Sequence, residues 1–180
     1  MTAGSVVTII GAGLAGSEAA LSLAERGIRV RLLEQKPTNR TAAAVSENFC
    51  ELVCSNSFRG AALSNAVGLL KEEMRRLGSH VMRAADANTV PAGGALAVDR
   101  ERFSAEVTAR LRSHPLIEIE TGIVDRLPEA RPLIVATGPL TGSKLATSPR
   151  PSIGCAPPRC CFRFTVKRCG AAATVASASP

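Results

Sequence analysis

Two short stretches of this chain carry residue types that do chemistry. In ELVCSNSF, Glu51 to Phe58, one thiol, Cys54, lies between an apolar dipeptide and a run of small hydrogen-bonding residues. A thiolate is a potent nucleophile, and both Arg59 and a helix expected to begin near Gly60 would favour the ionised form. The competing reading is a packed, inert thiol, since free cysteine is among the most buried residue types. Cys50 lacks such neighbours and is read as structural. The second stretch is G-A-G-L-A-G, Gly11 to Gly16, spaced to cradle a pyrophosphate. Gly11 permits a tight turn, Gly13 lets the backbone approach phosphate without an intervening Cβ, and Gly16 lets a helix pack closely on a strand. Free amides at the helix start face the phosphate charge. Glu34, 23 residues after Gly11, is placed to accept hydrogen bonds from ribose hydroxyls. Such an acid suits NAD or the adenosine half of FAD.

Positioning these groups requires a strand, a turn, a helix and a second strand in succession. The β-branched run Val6 to Ile10 predicts a strand buried on both faces. Ser17 to Arg26 predicts a helix stopped by Gly27, and Ile28 to Glu34 a second strand, which completes a βαβ unit. Over Ala61 to Leu77, the residues Leu63, Val67, Leu70, Met74 and Leu77 form one apolar stripe and predict the longest helix, with the basic face of residues 71–76 solvated. Val90 to Arg100 reads as loop or short strand, Glu101 to Arg112 as an amphipathic helix and Leu116 to Val124 as a half-exposed strand. Pro132 to Pro139 reads as a buried strand ending in a glycine turn. Asn56, Asn65 and Asn88 are second-rank substrate candidates, since Asn before a helix commonly caps it. His80 and His114 have no acid at suggestive spacing and are expected at the surface.

The 180 residues suit one domain, and no apolar run approaches the roughly 20 residues of a membrane-spanning helix. The N-terminus lacks a basic n-region before its glycines and is a poor signal peptide, so a cytoplasmic location is expected. Of the net charge of +7, five charges come from Arg150, Arg159, Arg163, Lys167 and Arg168, in a segment without acids. That segment also holds Cys155, Cys160, Cys161 and Cys169, without a C-x-x-C pair or a histidine, so no metal site is expected. Five charges in so short a segment make a weak nucleic-acid-binding arm.

The strand-plus-turn I-V-A-T-G-P, Ile134 to Pro139, resembles that of two-dinucleotide-fold flavoproteins and favours FAD. VTIIGAGLAGSEAA, ELVCSNSFRGAALSNAVGLLKEEMRRLGS, ADANTVPAGGALAVDRERFS and VATGPLTGSKLA together resemble the bacterial folate- and FAD-dependent tRNA (uracil-5-)-methyltransferase family, over residues 5 to about 146. The family is similar in outline to the flavoproteins that install carboxymethylaminomethyl groups on wobble uridines, which are the alternative reading. A non-catalytic dinucleotide-binding module is a third. The resemblance implies an α/β fold: an incomplete Rossmann-like FAD-binding domain of the two-dinucleotide-fold type in residues 1–146, with a disordered or frameshifted tail over 147–180.

It further implies that a methylene group from methylenetetrahydrofolate reaches C5 of the T-loop uridine of tRNA. FAD supplies reducing equivalents and NAD(P)H reduces it. The cofactor is expected on Gly11, Ala12, Gly13, Leu14, Ala15, Gly16, Glu34, Val124, Ala136, Thr137 and Gly138. Cys54 matches the first of two family cysteines near the site, either attacking carbon or assisting proton removal. tRNA is the expected substrate, with no membrane association and no stable protein partner. Family members are more than twice this length. Where the pattern stops, SPRPSIGCAPPRCCFRFTVKRCG looks like GC-rich DNA read out of frame, so a truncated chain with impaired activity is expected.

Overall fold

A computed structural model describes residues 6–41, 43–130 and 132–148; the expected tail, apart from Thr147 and Ser148, lies outside the described residues. The βαβ unit forms as the glycine spacing demands: β1 (Val6–Ile10), α1 (Leu14–Glu25) and β2 (Arg29–Glu34). The helix starts three residues earlier than apolar spacing predicts, because Gly16 lies inside it, packed so closely that an added Cβ would fall 1.8 Å from the Gly11 carbonyl oxygen. After β2 come β3 (Ser57–Gly60), α2 (Ala66–Arg76), α3 (His80–Ala87), β4 (Thr89–Val90) and β5 (Ala95–Val98). The described chain closes with α4 (Arg100–Ser113), β6 (Ile117–Thr121), β7 (Leu133–Val135) and α5 (Ser143–Ala146).

Four strands form a parallel sheet in the order β6-β2-β1-β7, and β3, β5 and β4 form a small antiparallel sheet beside it. Alternation along the two central strands divides their side chains between layers. Val7, Ile9, Val30 and Leu32 enter the main core with Ala20, Leu21 and Ala24 of α1, Met82 and Ala85 of α3, and Phe103, Val107 and Leu111 of α4. Ile10 and Leu33 face a second, smaller cluster with Leu145. Asp99 starts α4 by accepting the amides of Glu101 and Arg102, each at 3.1 Å.

Several expectations are corrected. The helix predicted from Ala61 begins at Ala66, because the Ala61 amide is spent on the Gly94 carbonyl at 2.9 Å and Asn65 is the N-cap, accepting the Gly68 amide at 2.8 Å. Apart from Met74, which packs against the main core, its apolar stripe is not the buried face. Leu63, Val67, Leu70 and Leu77 are exposed, whereas Gly68 and Lys71 are buried. A Cβ on Gly68 would lie 1.9 Å from the Ala62 carbonyl oxygen, so the helix docks through its narrowest residue. Lys71 beside it donates to the carbonyls of Gly60 at 2.7 Å and Val67 at 3.0 Å.

The predicted buried strand near residue 134 is a sheet edge with Val135 exposed; among the described residues it pairs only with β1. His80 is buried rather than superficial, held between Arg110 and Glu25. Asn88 ends α3 instead of preceding a helix, bonding the Ala84 carbonyl at 2.8 Å and Glu106 at 2.6 Å.

Candidate dinucleotide-binding site

The carboxyl ends of three parallel strands meet at the glycine loop. The Gly11 amide donates to the Leu33 carbonyl at 2.8 Å, and the Ala136 amide donates to the Ile10 carbonyl at 2.8 Å. β2 and β7 therefore flank the turn that leaves β1. Gly11 has φ +95°, and a Cβ there would lie 2.7 Å from the Ala136 carbonyl oxygen, so both dihedral and space require glycine. Gly13 differs. Its backbone is extended, it has no side-chain cap, and an added Cβ would meet no atom within 4 Å. The loop thus leaves open space at Gly13, beside the first amides of α1.

Glu34 ends β2 beside this loop. Its Oε2 accepts the Ala12 amide at 2.6 Å and its Oε1 accepts the Lys36 amide at 3.1 Å. A carboxylate offers about four acceptor positions, so two remain beyond these amides. The Ala12 carbonyl is held as firmly, accepting the Ser17 hydroxyl at 3.0 Å and the Cys50 amide at 2.7 Å. The structure brings together Gly11 to Gly16, Glu34 and Ala136, with Thr137 beside Gly11 and Gly138 in the next turn at φ +69°. Val124 packs instead against the small cluster of Ile10, Leu33 and Leu145.

The two cysteines separate by environment. Cys50 is buried, with positive φ, and burial pushes its thiol up to about 12, opposed by a hydrogen bond from Ser17. Cys54 is exposed. The helix expected to begin near Gly60 starts at Ala66, with β3 between it and Cys54. Lys36 and Glu51 were passed over by sequence reasoning. They form an ion pair at 2.6 Å that is almost wholly buried, and no local spacing links two residues fifteen positions apart.

The family model described as Glucose inhibited division protein A matches residues 6–156. The chain belongs to this family. A Heliobacterium modesticaldum protein named methylenetetrahydrofolate–tRNA-(uracil-5-)-methyltransferase TrmFO is 62% identical over 140 residues, 78% of this chain and 32% of that protein. The Streptococcus pyogenes protein of the same name is 57% identical over 140 residues, 78% of this chain and 31% of that protein. The chain spans about a third of the length of these relatives. Among solved structures, Aquifex aeolicus GidA in its form II crystal aligns with a TM-score of 0.54 at 18% identity, covering 71% of this chain and 21% of that one. That likeness supports the α/β fold with its parallel sheet.

Proposed function

We propose that this chain supplies the FAD-binding portion of a folate-dependent tRNA (uracil-5-)-methyltransferase. The observation that carries the reading is the open Gly13 position beside the Glu34 carboxylate, in a chain 62% identical over 140 residues to a protein of that name. Gly11 to Gly16 and the start of α1 would hold the pyrophosphate, Glu34 the ribose, and Ala136 to Gly138 the wall behind the loop. When bound, the flavin supplies the reducing equivalents, with NAD(P)H as their source and methylenetetrahydrofolate as the one-carbon donor. FAD is the dinucleotide we infer because the strand and turn behind the loop, Ile134 to Pro139, resemble those of two-dinucleotide-fold flavoproteins.

The protein's own contribution to the chemistry is Cys54. Uracil C5 is a poor nucleophile, and thiolate addition at C6 gives it enolate character. Proton removal from C5 is the other role open to this thiol. Either requires an exposed sulfur and a base drawn out of its stack, at a cost of about a few kcal/mol offset by protein contacts. Cys54 meets the first condition and Cys50, buried, does not. We place the protein in the cytoplasm with tRNA as substrate; no helix among the described residues is long and apolar enough to cross a membrane.

The test is to extend the chain with the C-terminal two thirds of the Heliobacterium relative and assay 5-methyluridine formation in tRNA with the folate donor and reduced pyridine nucleotide. Methylation that disappears in Cys54→Ala supports the reading. Equal methylation with alanine at 54 makes Cys54 a bystander, and formation of a wobble-position product instead would assign the chain to the carboxymethylaminomethyl branch.

A further inference from the structure

The hydrogen bonds around the glycine loop close into a ring. The Ala12 amide donates to Glu34 Oε2 at 2.6 Å, and Glu34 Oε1 accepts the Lys36 amide at 3.1 Å. The Lys36 ammonium donates to Glu51 Oε2 at 2.6 Å and to the Asn48 carbonyl at 2.9 Å. Glu51 Oε1 accepts the amides of Val45 at 2.8 Å and Ser46 at 3.0 Å, which gathers residues 45–51 around one carboxylate. Cys50, next to Glu51, donates its amide to the Ala12 carbonyl at 2.7 Å. The path returns to the residue where it began, and Cys54 lies four positions beyond Cys50.

The ion pair that closes this ring is unusual for its burial. The side chains of Lys36 and Glu51 are 12% and 7% exposed, so both charges are largely withdrawn from water. Such a pair adds little net stability over an apolar packing of similar volume, and its better-attested use is to fix one arrangement among several. Here the arrangement fixed is that of the glycine loop against the cysteine segment. Lys36 reaches Glu34 through its own amide and the Asn48 carbonyl through its ammonium, and Glu51 gathers residues 45–51 beside Cys50.

We propose that Lys36 and Glu51 are positioning residues that couple occupancy of the glycine loop to the placement of Cys54. The proposal rests on the dinucleotide reading of that loop. A ribose hydroxyl donating to Glu34 must share the carboxylate with the amides of Ala12 and Lys36. Rearrangement at Glu34 then passes through the buried pair to the backbone preceding Cys54. Occupancy stiffens the ring and with it the segment that carries Cys54, which restricts the orientations in which the exposed thiol can meet a reagent.

The experiment uses the full chain and ADP as the probe. ADP affinity is measured by calorimetry, and Cys54 alkylation by iodoacetamide is timed by peptide mass spectrometry with and without saturating ADP. In the wild-type chain ADP is expected to slow Cys54 alkylation about fivefold. In the Lys36→Met, Glu51→Gln double variant the slowing disappears while ADP still binds. A folded variant that binds ADP more than about tenfold more weakly also supports the proposal, provided Lys36→Arg restores affinity. Equal slowing in both proteins would mean that ADP shields Cys54 directly, and it overturns the coupling; so does an unchanged Cys54 rate with ADP bound to the wild-type chain. Absence of ADP binding by the wild-type chain removes the dinucleotide reading and the coupling with it. Circular dichroism checks folding. If the double variant unfolds, Glu51→Gln alone, which keeps an oxygen for the amides of Val45 and Ser46, carries the same comparison.

Discussion

The Oε2 atom of Glu18 on α1 accepts the amide of Val81 on α3 at 2.8 Å, so a side chain of one helix caps another. The same carboxylate accepts the Ser79 hydroxyl at 2.8 Å and the His80 amide at 3.0 Å. Burial alone would raise the Glu18 pKa, but these three bonds together with the nearby His80 outweigh it and hold the carboxyl below its ordinary range. The depressed value means the contribution is fully present above the unfolded glutamate pKa, 4.5, and is lost as pH falls through the folded value. We expect Glu18→Gln to cost about 1 to 3 kcal/mol at neutral pH, with the difference from wild type narrowing in acid. Urea unfolding of both proteins at about pH 7 and about pH 3.5 measures this. A constant difference would show that the charge of Glu18 is irrelevant.

His80 should report acid in a higher window. Arg110 offers only donors, so at 2.8 Å the His80 Nδ1 must accept and the ring proton resides on Nε2, toward Glu25 Oε2 at 3.4 Å. Burial, assisted by Arg110 and Arg83, lowers the His80 pKa despite Glu25 and Glu18. A neutral buried histidine stabilises the fold above its unfolded pKa, 6.5, and that stability is lost as pH falls through the folded value. An NMR titration should place the His80 midpoint below that of the unfolded chain. A higher midpoint would mean that the two glutamates dominate.

The glycines should divide into two groups. Gly13→Val meets open space and a φ of −72°, so stability should change by only about 0.5 kcal/mol while FAD affinity falls by more than about tenfold. Gly16→Ala must displace backbone at 1.8 Å, and Gly11→Ala adds a strained φ, so both should lose about 2 kcal/mol or more before any ligand is added. Thermal melts and a flavin fluorescence titration separate the two effects. Comparable destabilisation in Gly13→Val would remove the argument that its space is reserved for a ligand.

Iodoacetamide should modify Cys54 in the native protein and leave Cys50 untouched until unfolding. Exposure favours the first, whereas burial and a thiol pushed up to about 12 leave the second with almost no thiolate near neutral pH. Peptide mapping with and without urea reads both sites. Native alkylation of Cys50 at a rate near that of Cys54 would contradict the packing around Ser17 and Ala12.

The βαβ unit was legible because its signals are local: a β-branched run, glycines at fixed offsets and an acid ending the second strand. The Asp99 helix was legible for the same reason, to within one residue at each end. What escaped depends on partners distant in sequence. Leu63, Val67 and Leu70 satisfy a helical stripe, yet which face of α2 is buried is decided by Gly68 and by the Gly60 carbonyl that Lys71 reaches. His80 lacks an acid nearby in sequence, and Glu25 and Arg110 reach it only once α1, α3 and α4 have packed. Lys36 and Glu51 show how a charged pair at unremarkable spacing becomes the buried link between two legible motifs.

The pairing of β1 with β7 has a consequence for synthesis on the ribosome. Thr8 is matched with Leu133, and the wall behind Gly11 is the Ala136 carbonyl, so the glycine loop emerges about 125 residues before its own backing. At roughly 5 to 20 residues per second that is a delay of about 6 to 25 s, during which one edge of β1 has no native partner. The nascent chain can hold β1, α1 and β2 together by local contacts, but the loop acquires its full native support only after β7 docks. Nucleotide binding should therefore appear late in a series of ribosome-stalled chains of increasing length.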